Sequence, residues 1–95
     1  MESKQSSVSL DDLRKKIDKT DQVLLDSFIA RMRISADIAR YKKENGLPVL
    51  DASREQEKLD EIRKIAPDDM EDYCVLLYNK IMELSKEFQQ EIIDK

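Results

Sequence analysis

The sequence contains no histidine and a single cysteine, Cys74. Without histidine, a Ser-His-Asp triad, a Cys-His pair and any His/Cys zinc site are excluded, so any chemistry must rest on Lys, Arg, Asp, Glu and amide groups. A lone cysteine permits no intrachain disulfide, and neither a signal peptide nor a long apolar run stands at the N-terminus, which together point to the cytoplasm and away from a membrane. One glycine and two prolines are too few for a strand-and-turn protein. The 40% of charged residues, many of them Glu, Lys and Arg, instead describes long helices, and the expected fold class is all-α. A formal charge of −4 with scattered basic residues argues against a nucleic-acid partner. An anionic ligand would need a local basic pocket.

Residues 1–8 (MESKQSSV) are mostly polar and read as a loose tail, leaving residues 9–95 as one domain. Ser9 followed by Asp12 marks a helix start with an acidic first turn. No Gly or Pro interrupts the chain until Asn45-Gly46-Leu47-Pro48, where Gly46 suits a left-handed cap and Pro48 forbids continuation. The first helix is expected over about residues 10–44. Asp51 is placed to cap a second, running to about Ile65. Pro67-Asp68, with Glu71 three residues after Asp68, opens a third that continues to about Ile93.

At 1.5 Å per residue the first helix is roughly 50 Å long. A 95-residue globule has a diameter on the order of 30 Å. The helix must outrun its own monomer, and its apolar stripe of Leu10, Leu13, Ile17, Leu24, Phe28 and Ile38 needs a cover. Neither an internal repeat nor a low-complexity tract accounts for such a helix. A second copy of the chain is the simplest answer, so the expected architecture is an intertwined homodimeric helical bundle.

Stepping from Leu24 by three and four gives Phe28, Arg31, Ser35, Ile38 and Lys42, so two cations occupy a seam that expects leucine. Either could snorkel to the surface. Together, about 20° apart in rotation and roughly 16 Å along the axis, they are suited to one anion between them. In the second helix the apolar stripe of Leu59, Ile62 and Ala66 extends back through Glu55 and Asp51, placing carboxylates inward beside Arg54; a capping role alone is the bland account of Asp51. The third helix has the stripe Met70, Tyr73, Leu77, Ile81, Leu84, Phe88 and Ile92, with Ser85 and Gln89 on its shoulder. Singly, Ser85, Gln89 and Arg14 are ordinary boundary polar residues. Arg14 lies seventeen residues before Arg31, roughly 25 Å along a straight helix. It can approach an Arg31 site only from an antiparallel partner chain.

Over about residues 9–91 these features resemble the all-helical class of chorismate mutases. The resemblance is carried by Leu13-Arg14 followed by Ile17-Asp18, by Arg31 and Lys42, by Pro48-Val49 leading to Asp51 and Arg54-Glu55, and by Ser85 and Gln89. The spacing of Arg31, Lys42 and Asp51-Arg54-Glu55 across the Gly-Pro loop is its specific part. The resemblance implies that chorismate is rearranged to prephenate, in phenylalanine and tyrosine biosynthesis, with no cofactor, metal or nucleophile. It further implies that Arg14 of the partner subunit, with Arg31, Arg54 and Ser85, holds two substrate carboxylates. Lys42 and Gln89 would donate to the ether oxygen of the breaking bond, and Asp51 and Glu55 would lie near the ring hydroxyl. An isochorismate-pyruvate lyase shares the fold but departs around the acidic start of the second helix, so Asp51, Arg54 and Glu55 favour the mutase. A noncatalytic dimerisation module would leave Arg31, Lys42 and Glu55 as accidents.

Overall fold

The computed structural model describes residues 9–95, and the tail expected over residues 1–8 lies outside them. Three helices follow in order: α1 (Leu10–Asn45), α2 (Ala52–Ile65) and α3 (Glu71–Asp94). The described residues contain no strand. Contacts divide the chain into two compact units, Met1–Arg31 and Met32–Lys95.

In the first unit the described residues form helix from Leu10 onward. Its start is a reciprocal cap in which the Asp12 backbone N–H donates to Ser9 Oγ at 3.1 Å and the Ser9 N–H to the Asp12 carboxylate at 3.5 Å. Asp11 and Asp12 also complement the positive end of the helix dipole. A helix alone gives its apolar stripe nothing within the unit to pack on. Leu10, Leu13, Ile17 and Leu24 keep 61, 45, 60 and 55% of their surface exposed.

The second unit holds the end of α1 with α2 and α3. Gly46 stops α1: at φ 64 it adopts the left-handed region open to a residue without Cβ. The Leu47 N–H then reaches the Lys42 carbonyl at 2.8 Å and the Gly46 N–H that of Lys43 at 3.5 Å, the paired bonds of a Schellman motif. α2 ends where the Ala66 N–H donates to the Ile62 carbonyl at 2.9 Å and Ala66 turns extended before Pro67. Ion pairs join Glu55 to Lys86 at 3.0 Å and Arg63 to Glu71 at 3.5 Å, so α2 runs antiparallel to α3. Side-chain bonds from Ser35 to Ser85 and from Lys42 to Gln89 set the end of α1 beside α3, in the same direction.

Three expectations need correction. α3 begins at Glu71 rather than at Pro67-Asp68, because residues 67–70 close into a turn, with the Met70 N–H on the Pro67 carbonyl at 2.9 Å, and Met70 takes the cap position without a side-chain bond. The α3 stripe expected to be buried is exposed at Met70, Tyr73 and Leu77, and half-buried from Ile81 onward. The buried face is Val75, Met82, Ser85 and Gln89, so the two polar residues assigned to the shoulder lie inside. On α1, likewise, Ile38 is exposed while Ser35, Ala36 and Ala39 are buried. The reason is steric: small residues let α1 come close enough to α3 for short polar side chains to meet across the seam.

Candidate active site

The end of α1, the first turn of α2 and the last third of α3 meet at one end of the second unit. A continuous polar chain crosses there. Lys42 Nζ donates to the Val49 carbonyl at 2.7 Å and to Gln89 Oε1 at 3.2 Å. Gln89 Nε2 donates to Ser85 Oγ at 3.3 Å, and Ser85 Oγ lies 2.5 Å from Ser35 Oγ. Ser35, Ser85 and Gln89 are only 4, 6 and 6% exposed. Burying these groups without partners would cost a few kcal/mol in total, and the chain of bonds offsets that cost.

This chain fixes the orientation of the Gln89 amide. An ammonium offers only hydrogens, so the carbonyl oxygen must face Lys42 and the NH₂ must face Ser85. One N–H of Gln89 and one N–H of Lys42 are left over. Two donors thus converge from adjacent groups, one of them cationic, and the cation polarises the amide to which it binds. Such a pair suits an oxygen on which negative charge accumulates.

At the start of α2, Asp51 acts as the N-cap. Its Oδ1 accepts from the Arg54 backbone N–H at 3.1 Å and from the Ser53 hydroxyl at 3.2 Å. The Arg54 N–H first, then the Ser53 hydroxyl, hold this carboxyl below its usual value; desolvation opposes them, and the Lys42 and Arg54 charges add to the lowering. Asp51 is exposed, so the expected inward carboxylate face of α2 does not extend to it: at φ −129, ψ 88 it stands outside the helical register. Glu55, inside that register, is half-buried and paired with Lys86. Arg54 is exposed and contacts Glu57 at 3.3 Å, an exposed pair contributing on the order of 0–1 kcal/mol and easily given up to a ligand.

Six of the eight expected site residues, Lys42, Asp51, Arg54, Glu55, Ser85 and Gln89, thus fall in the second unit. Arg14 and Arg31 belong to the first, Arg14 exposed and Arg31 half-buried. Two participants escaped the sequence reading. Ser35 stood in the α1 stripe without a role, although a serine between Arg31 and Lys42 in a seam position was itself a signal. Lys86 gave none, because its partner Glu55 is distant in sequence.

The fold and this cluster define a class: an all-helical domain with a polar seam that presents preoriented donors. A family model described as chorismate mutase type II matches residues 13–90, and the chain belongs to that family. The activity of the family is that of an isomerase, chorismate mutase. A relative from Methanocaldococcus jannaschii, named chorismate mutase, is 28% identical over 88 residues, which cover 90% of this chain and 89% of the relative. No solved structure matches the chain significantly.

Proposed function

We infer that this chain rearranges chorismate to prephenate and that Lys42 and Gln89 supply the decisive electrostatic stabilisation. The observation that carries the reading is the Lys42–Gln89 contact, which leaves one free N–H on each group. The reaction breaks a C–O bond and forms a C–C bond within one molecule, so no group on the protein has to attack, accept a proton or bind a metal. What remains is to hold the compact conformer that brings the carbon termini together and to stabilise charge growing on the ether oxygen.

Arginines suit the two substrate carboxylates, because a planar guanidinium donates two parallel hydrogen bonds to each. Arg31 and Arg54 take this part, with Ser85 assisting and Arg14 reaching in from a partner subunit. Asp51 and Glu55 lie toward the ring hydroxyl, Glu55 kept in place by Lys86. The active form is an intertwined homodimer. Supporting this, seventeen large apolar side chains are exposed among the described residues against five buried apolar ones, more open apolar surface than a stable monomer of this size carries. Among the described residues no helix is long and apolar enough to cross a membrane, and a cytoplasmic location accords with the free Cys74.

The test is incubation of the purified chain with chorismate, following both substrate loss and prephenate formation, beside a Lys42→Met variant of checked helicity. Wild type should form prephenate, and the variant should lose on the order of 10²- to 10³-fold in kcat. Pyruvate release from isochorismate without prephenate formation, or a fully active variant, would overturn the assignment.

A further inference from the structure

We propose that Ser35 is a positioning residue: its hydroxyl donates to Ser85 Oγ and thereby directs the Ser85 proton outward to the substrate carboxylate. This rests on the mutase reading above, in which Ser85 touches the substrate and Ser35 does not.

A serine hydroxyl has one donor and two acceptor lone pairs. Because Lys42 fixes the Gln89 amide, one lone pair of Ser85 Oγ is already taken by Gln89 Nε2 at 3.3 Å. The 2.5 Å contact with Ser35 Oγ can run in either direction. If Ser85 were the donor, its proton would point into the protein and the substrate would meet no donor there. If Ser35 is the donor, both lone pairs of Ser85 are filled from behind and its proton faces the ligand. A carboxylate selects the second arrangement, since a charge-assisted hydrogen bond is roughly twice as strong as a neutral one, and the Ser35-to-Ser85-to-carboxylate sequence is polarised in one direction.

Ser35 also guards against a local competitor. Helical serines back-bond to the carbonyl four residues earlier, which for Ser85 is that of Ile81. A Ser85 proton turned onto Ile81 is lost to the site. At 4% exposure Ser35 cannot be replaced in this task by a mobile water without rearrangement of the seam, because Ala36 and Ala39 beside it are buried as well.

The test is a double-mutant cycle on the full chain, with KM and kcat for chorismate measured for wild type, Ser35→Ala, Ser85→Ala and the double variant, and prephenate affinity measured by calorimetry. Ser35→Ala should raise KM about threefold to tenfold, the worth of one hydrogen bond, and weaken prephenate binding alike, while kcat falls less. In the Ser85→Ala background the same substitution should leave KM unchanged, because Ser35 has no route to the substrate except through Ser85. A merely structural role would instead produce the same loss in both backgrounds. Equal losses in both, or an unchanged KM for Ser35→Ala in an active enzyme, would overturn the proposal, whereas a wild-type chain inert toward chorismate would overturn the mutase reading and this inference with it. Should Ser35→Ala fail to fold, Ser35→Cys, close in size but a weak donor, carries the same expectation.

Discussion

Replacing Gln89 with glutamate tests the donor pair at its most sensitive point. The wild-type amide shows its oxygen to Lys42 at 3.2 Å and its NH₂ to Ser85 at 3.3 Å, and Gln89 itself is only 6% exposed. Glutamate keeps the oxygen and replaces the NH₂ by a second oxygen, so an ionised Gln89→Glu side chain offers no hydrogen to the ether oxygen. Loss of one such donor costs about 10²- to 10³-fold in kcat. The new charge adds repulsion: two unit charges 4 Å apart interact by about 4 kcal/mol at an effective dielectric constant of 20, and half a charge on the ether oxygen by about 2 kcal/mol. The repulsion is worth about 30-fold, so the combined loss at neutral pH is about 3 × 10³- to 3 × 10⁴-fold.

A free glutamate titrates near pH 4.3, and burial raises that value. Here the Lys42 ammonium opposes burial, and Ser85 can turn its hydroxyl to donate to the carboxylate, so the charged form persists at neutral pH. Acidification returns a proton and with it a donor. The activity of Gln89→Glu should climb toward low pH until the protein unfolds, whereas wild type, whose amide donates at any pH and which has no histidine, should vary little between about pH 5 and 8. The measurement is kcat/KM against pH for both proteins, with circular dichroism in the same buffers. A variant as fast as wild type at pH 7.5, or equally impaired at every pH where it stays folded, would remove Gln89 from the donor role.

Two further expectations concern the cap and the assembly. Asp51→Ala should lower the Tm at pH 7, and Asp51→Asn, which still caps but lacks the charge, should lower it less. Because the folded Asp51 carboxyl is held below its usual value, its charge-dependent stabilisation is complete above the unfolded value and disappears as pH falls through the folded one, so the Asp51→Ala deficit should shrink in acid. A deficit unchanged down to pH 2 would contradict that. Sedimentation should find a dimer at assay concentrations, and Arg14→Ala and Arg31→Ala chains, each inactive alone, should regain activity when mixed, since each heterodimer retains one complete site. An active folded monomer, or no recovery despite proven subunit exchange, would remove Arg14 from the partner's site.

The helix boundaries were readable because the punctuation is local: Ser9, Gly46, Asp51 and Pro67 each act within a few residues, and α1 and α2 end within a residue of where those signals place them. The start of α3 was not, because the turn at 67–70 is held by backbone bonds to which Asp68 adds no cap. Burial misled for a different reason. Hydrophobic periodicity finds the apolar face of a helix, yet α3 turns Ser85 and Gln89 toward α1 and leaves Tyr73, Leu76 and Leu77 largely exposed. Two packing demands share that helix, and periodicity reports the larger. Ser35 and Lys86 act through partners on other helices, which no spacing along the chain reveals.

The placement of Lys42 explains why lysine rather than arginine stands at the end of α1. Its carbonyl accepts from the Leu47 N–H, its ammonium donates to the Val49 carbonyl at 2.7 Å, and so the loop from Gly46 to Leu50 is tied to one residue at both its backbone and its side chain. That loop delivers Asp51 and the first turn of α2. An ammonium carries three rotatable hydrogens around a single point, and two are consumed by Val49 and Gln89, so the third can face a ligand without disturbing the others. A guanidinium distributes five donors across a rigid plane and cannot converge from one centre on a loop carbonyl, an α3 side-chain oxygen and a substrate oxygen. The same geometry makes the site stiff. Moving the ammonium toward a substrate would release either the loop or the Gln89 amide, so the arrangement favours a donor already in place before the reaction begins, which is the condition under which electrostatic stabilisation costs no reorganisation at the moment of bond breaking.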